Sequence, residues 1–366
     1  MKIALLGDIA LFGKMSIKEN PSAADRFSEI ANYLERFDFV VGNLETPFSV
    51  EKKTSGAKSA YICADVENIL TLKQLHINAV CLSNNHMFDF GKEGYETTKK
   101  VLNENGIEYF GAEGKELKIQ KDGARIAFSG FCCYTSNPLN CVAYGNYGVN
   151  AYNLECVKER LKRNDKDGFL NIVAVHAGLE HVNYPSIEHI RAARKLAEEA
   201  PYVYYGHHPH VIQGVEEYKG SLIAHSLGNF CFDDIYTQAS GSKPLIELTE
   251  NNRRGMILEL TIEGNKVTDW KLKIVYNSKE NGLQLIEDVD YLNEYNKALA
   301  DSEINTLTYN QKRNNIIDTW AKNRKTARNL MWYIKRLRPR YVRLFFNARN
   351  NTKKYRNNVL KYLQND

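Results

Sequence analysis

The chain has 366 residues, 43% of them hydrophobic and 25% charged, with a formal net charge of +5. That is ordinary globular usage at a length that holds one large domain with an appendage, or two domains, so a buried core is expected. No apolar run approaches the ~18 residues of a spanning helix, and the start Met1–Asp8 reads as a buried strand rather than a secretory signal.

Taken in order, Lys2–Leu6 reads as a strand, a helix is expected over Ala23–Arg36, and Phe39–Gly42 is a short strand. A helix over Val66–Leu75, a strand at Ala79–Ser83 and a helix over Gly94–Asn103 follow. Arg125–Gly130, Asn171–His176 and Val203–Tyr205 read as strands, with an amphipathic helix at Ile187–Ala200 between the last two. Leu222–His225, Gly255–Ile262 and Trp270–Val275 look like late antiparallel strands, the last two joined at Glu263-Gly264-Asn265. Helices are expected at Asp288–Leu299, Asn314–Leu337 and Arg340–Leu363, with a boundary of the body near residue 280. Alternating strands and helices predict an α/β layered domain, and the later strands a second sheet packed on the first. The seven cysteines lack metal-type pairing and most read as reduced core residues, which predicts a cytosolic protein.

Five of the strands end in metal-competent groups. Asp8 ends the first, Asn43-Leu44-Glu45 follows the second, and Asn84-Asn85-His86 with Asp89 follows the third. His176 ends another, and His207-His208-Pro209-His210 follows Val203–Tyr205. In sequential α/β folds ligands bind beyond the carboxyl ends of the strands. Carboxylates, a carboxamide and imidazoles without thiolates suit Zn, Mn or Fe. Singly, each residue has a plainer reading: Asp8 as a helix cap, Glu45 as a surface charge, Asn85 as a turn residue and His176 as a satisfied strand end. Arg254 likewise reads as a solvated arginine, His225 as packed or functional, and His76, His181 and His189 as incidental. The joint pattern at one end of a sheet favours the site.

Gly7-Asp8, Asn43-Leu44-Glu45-Thr46-Pro47, Ser83–Asp89, His176–Glu180, Gly206–Val211 and Ser226–Phe230 together resemble the bacterial capsule-synthesis (CapA-like) family, associated with poly-γ-glutamate and capsular polysaccharide production. That family lies in the calcineurin-like metallophosphoesterase superfamily, and the resemblance covers roughly residues 1–275. It implies a four-layer α-β-β-α sandwich (residues 1–280); the basic, mainly helical extension that follows (281–366) is read from its own charge and periodicity. The resemblance also implies two divalent metal ions (Mn, Zn or Fe) held by Asp8, Glu45, Asn85, His176, His208 and His210. His86 would be a catalytic non-ligand beside the substrate, with Asp89 orienting its ring. Two cations about 3.5–4 Å apart would activate water for in-line displacement at phosphorus. His207, Glu180, Asn229 and Arg254 are candidates either for supporting the ligands or for substrate contact, and Asn43 for substrate contact. The chain departs from the superfamily pattern in having no histidine two residues after Asp8.

Residues 311–366 hold 16 Lys or Arg against Asp318 and Asp366, a net of +14, while the rest carries 33 basic and 42 acidic groups, a net of −9. A basic helix with aromatics suits an anionic membrane surface, or packs its apolar side on the acidic body. No nucleic-acid motif accompanies the charge, so nucleic acid is a disfavoured partner. The leading expectation is a metal-dependent phosphomonoesterase or phosphodiesterase of capsule or other surface-polymer biosynthesis. Its expected substrate is a phosphorylated glycan or lipid-linked polymer intermediate at the cytoplasmic membrane face. The alternative is a non-catalytic binding component of a polymer synthesis or export complex.

Overall fold

A computed structural model describes residues 1–50, 60–136, 141–142, 145–236, 243–287, 290–327 and 339–364. Strand β1 (Lys2–Ile9) is apolar on both faces: Ile3 and Leu5 enter one core while Ala4 and Leu6 enter another. Side chains alternate along a strand, so such a run requires a covered layer on each side. The helix expected over 23–36 forms in two parts, a 3-10 segment Pro21–Phe27 and α1 (Ser28–Leu34). Then come β2 (Phe39–Leu44), α2 (Ile69–Gln74), β3 (Ala79–Cys81), α3 (Gly91–Glu104) and β4 (Glu108–Phe110), with β1 to β4 parallel.

The second sheet starts with the hairpin of β5 (Leu117–Lys121) and β6 (Ala124–Cys132), whose turn residues Asp122 and Gly123 both have positive φ. A small ribbon, β7 (Cys141–Val142) with β8 (Val149–Asn150), precedes α4 (Leu154–Lys166). Next are β9 (Leu170–His176), α5 (Ile187–Glu199), β10 (Tyr202–His207), β11 (Val215–Tyr218) and β12 (Ser221–Ala224). The sheet order is β11-β12-β10-β9-β6-β5. The expected strand near Leu222 is therefore parallel to β10 and antiparallel only to β11. Strand β13 (Asn229–Cys231) returns to the first sheet beside β1, and β14 (Arg254–Glu263), β15 (Lys266–Ser278) and β16 (Gly282–Ile286) extend it in the order β16-β15-β14-β1-β2-β3-β4. The first sheet thus ends on the C-terminal side of residue 280.

Between the sheets lie Leu5, Val41, Phe128, Ile172, Val203, Tyr205 and Leu258, all buried. The outer face of the first sheet packs on α1 to α3, and that of the second on α4 and α5. The expected four-layer α-β-β-α sandwich is the architecture found. Helices α6 (Asp290–Asp301), α7 (Thr306–Ala327) and α8 (Pro339–Gln364) follow. Helix α8 sets Tyr355, Val359 and Tyr362 against α4 and α5, while Tyr309 of α7 joins Tyr184 and Ile190. Pro339 begins α8, a first-turn position where its fixed φ fits and its missing N–H costs nothing.

Residues 225–229 pass from the second sheet to the first through a gap made by glycines. A Cβ on Gly206 would stand 1.8 Å from the His225 oxygen, one on Gly7 2.1 Å from that of Gly228, and one on Gly255 2.0 Å from that of Asn229. The passing backbone is bonded to three strands: Leu227 N–H to Gly206 O (3.0 Å), Asp8 N–H to Gly228 O (2.9 Å) and Met256 N–H to Leu227 O (2.7 Å). This crossing locks the carboxyl ends of β1 and β10 together.

Candidate metal centre

The strand ends of the two sheets meet at one edge. In the first sheet Asp8 lies in register between Asn43 of β2 and Asn229 of β13. In the second, His176 of β9 pairs in register with His207 of β10. The polypeptide then turns sharply, and His208 (φ 93°) and His210 (φ 55°) both adopt the left-handed conformation that residues with a Cβ rarely take. Such strain persists where the surroundings over-determine it, commonly at functional sites.

Glu45, His208 and His210 offer ligand atoms that all lie within 4.8 Å of one another, and all three are buried. Glu45 Oε1 is 3.6 Å from His176 Nε2, 3.6 Å from His210 Nε2 and 4.0 Å from His86 Nε2. His176 Nε2 also meets Asn85 Oδ1 at 2.8 Å. Asp8 accepts from Asn43 Nδ2 (2.8 Å) and from the backbone N–H of His208 (3.2 Å), and lies 3.1 Å from His207 Nδ1 and 3.4 Å from His210 Nδ1. The six residues expected as ligands are therefore drawn together around two buried carboxylates, which removes the surface-charge reading of Glu45.

Burial raises the Asp8 pKa, but the close imidazoles of His207 and His210 outweigh it and hold the carboxyl well below its usual range. Burial pushes His208 down to about 3 and holds His176 well below its usual range, so both rings stay neutral with a lone pair to offer. Burial would also lower His210, yet Glu45 and Asp8 raise it to about 10. Its imidazolium supplies positive charge beside the two carboxylates. His208 Nδ1 is buried with no hydrogen-bond partner among the described residues. A mixed nitrogen and oxygen donor set with an unsatisfied imidazole nitrogen fits a divalent transition metal.

His86 Nδ1 lies 2.6 Å from Asp89 Oδ2, which also accepts from the backbone N–H of Ile62 (3.2 Å), so the carboxylate fixes the ring. Glu180 is half-buried and close enough for its charge to raise both His208 and His210. Three of these candidates are buried beside the ligand residues. His207 and Asn43 are fully buried against Asp8, and Asn229 is buried with its Oδ1 2.9 Å from His210 Nδ1. They orient ligand candidates because the sheet edge closes over them. Arg254 donates to Glu250 O and lies over the Tyr276 ring, on the β14–β15 side.

Sequence reading set His181 aside, yet it is buried, has φ 64°, and its Nδ1 accepts from Asn252 Nδ2 at 2.9 Å. Asn252 also donates to the His210 carbonyl (2.8 Å) and accepts from Asn229. Trp320 of α7 stacks on the His181 ring, with centroids 4.1 Å apart. Adjacency to Glu180 pointed at His181; nothing local marked Asn252 or Trp320, which long-range packing brings in. His225 contacts Glu216 and Tyr204 and is a packed residue.

A family model described as bacterial capsule synthesis protein PGA_cap matches residues 2–234. The chain belongs to this family. It is 30% identical over 258 residues to the capsule biosynthesis protein CapA of Bacillus anthracis, covering 66% of this chain and 62% of that protein's length. It is 27% identical over 283 residues to the PGA biosynthesis protein CapA of Bacillus subtilis, covering 75% of this chain and 74% of that protein. Among solved structures it is similar to the NAD nucleotidase of Haemophilus influenzae, with 13% identity, 89% of this chain and 60% of that chain covered, and a TM-score of 0.41. The capsule-synthesis match contains every ligand candidate from Asp8 to His210 and ends before Asn252 and α7. No helix among the described residues is long and apolar enough to cross a membrane.

Proposed function

We propose that this capsule-synthesis family member is a metal-dependent phosphoester hydrolase acting in the biosynthesis of an anionic surface polymer. The observation that carries the reading is the buried group Glu45, His208 and His210, with ligand atoms within 4.8 Å and Asp8, Asn85 and His176 around it. These six residues would hold two divalent ions, which supply Lewis acidity and an activated water nucleophile. Asn229 keeps the His210 ring turned so that Nε2 faces Glu45, and Asn43 and His207 hold the Asp8 carboxylate. Asp89 fixes His86 so that Nε2 points toward the cluster, where its proton goes to the departing alkoxide oxygen.

The test is metal content of untagged, chelator-free protein, followed by a phosphoester screen with the metal found. Close to two ions per chain, lost in His208→Ala/His210→Ala together with turnover, supports the hydrolase. Essentially no metal after Mn or Zn reconstitution makes the non-catalytic binding platform the better reading.

The substrate class we assign is a phosphorylated glycan or lipid-linked intermediate at an anionic membrane surface. Support comes from Val342, Phe345 and Phe346, exposed at i, i+3 and i+4 of α8 beside Arg343. Co-sedimentation with anionic but not neutral vesicles, lost in Phe345→Ser/Phe346→Ser, is the expected result. Equal recovery with both lipids removes the membrane from the proposal.

A further inference from the structure

The two basic helices enclose a cavity of about 400 Å³ against the body. One wall is the loop Ala177–Leu179 with Ser186–His189 at the start of α5; the other holds Arg313 of α7 and Tyr355, Arg356 and Val359 of α8. None of Asp8, Glu45, Asn85, His176, His208 or His210 lines it. We propose that this cavity binds a small organic oxyanion, a carboxylate or phosphate on a partly apolar stem, with Arg313 as its cationic contact.

The charges in the cavity are unequal. Arg356 is committed to Glu188, its Nη2 lying 2.7 Å from Oε1. Arg313 is half-buried and has neither hydrogen bond nor ion pair among the described residues, and its Nε is shut off from solvent. Burial lowers its pKa, outweighing the more distant charge of Glu188, without making it neutral, since a guanidinium remains charged at pH 7. His189 is held down to about 4 by burial and by the charge of Arg313, so it adds no second cation. The balance is one uncommitted guanidinium. A partly desolvated cation without a partner is costly, and the planar fork of arginine matches carboxylate and phosphate oxygens two at a time. The volume exceeds what a bare inorganic anion needs, and Leu179, Ile187 and Val359 offer apolar surface to a stem. Because Ala177–Leu179 directly follow His176, an occupant would touch the loop that carries a candidate ligand.

The experiment is calorimetric titration of the full chain with inorganic phosphate and separately with L-glutamate, glucose serving as the uncharged control. At least one oxyanion is expected to bind and glucose not. Arg313→Gln should weaken binding at least tenfold, Arg313→Lys should recover part of it, and His208→Ala/His210→Ala should bind as the wild type does. Which oxyanion binds identifies the group. Absence of binding by either anion at millimolar concentration overturns the proposal, as does unchanged affinity in Arg313→Gln. Loss of binding only in the double histidine variant would place the anion at the metal centre and also overturn it.

Discussion

Gly206→Ala tests whether the crossing of residues 225–229 holds the site together. The added Cβ would stand 1.8 Å from the His225 carbonyl oxygen, where real Cβ atoms essentially never come under 3.0 Å, so backbone must move by about 1.2 Å. Both groups are main chain in paired strands, so no rotamer relieves the clash. Overpacking costs about 1–3 kcal/mol, and disturbing the Leu227 N–H to Gly206 O bond adds about 1 kcal/mol. A loss of about 2–4 kcal/mol, a fall of about 3–5 °C in melting temperature for a chain of 366 residues, is expected. Gly42→Ala is the comparison: its Cβ meets Ile9 Cδ1 at 2.4 Å, the end of a flexible side chain, and should cost no more than about 1 kcal/mol. Thermal melting followed by circular dichroism, with metal content on the same samples, reads both. If Gly206→Ala melts within a degree or two of wild type, or no lower than Gly42→Ala, the crossing is not the constraint described here.

Asn229→Ala removes the oxygen that orients His210 and should weaken metal retention about 10–100-fold in competition with a chelator; equal retention would show that the ring is held by other contacts. Burial raises the Glu116 pKa, but Arg160, Asn164 and Arg163 outweigh it, so its folded pKa lies below the ordinary 4.5. Its stabilisation is therefore present above pH 4.5 and lost as pH falls through the folded value, and Glu116→Gln should flatten the acid limb of a stability–pH curve; a parallel limb refutes this. Trp320→Ala uncovers His181 and should cost about 1 kcal/mol of stability, seen as a lower denaturant midpoint, whereas an unchanged midpoint would mean the stack contributes nothing.

Periodicity and strand-end chemistry made much of the body legible. The apolar run Lys2–Leu6, the alternation to Tyr205 and the polar residue closing each strand are local properties, and they sufficed for a layered α/β domain with a ligand cluster at one edge. Helix α4 escaped because its buried positions Leu154, Val157, Leu161 and Asn164 sit in a run otherwise dominated by charge. The short edge strands β4 and β11 escaped because three or four residues carry too little pattern. Burial direction was likewise beyond local reading. Asn43, His207 and Asn229 have the same polarity as residues that face a substrate, and only the closure of two sheet edges over them makes them supports for Asp8 and His210. Asn252 and Trp320 reach the site through contacts spanning 71 residues to His181 in one case and a helix–loop stack in the other. The sequence by itself determined which donor atoms are present and at which strand ends. Tertiary structure decided which share one space, because distances between groups far apart in the chain are set by sheet packing and by the glycine-lined crossing, not by local propensity.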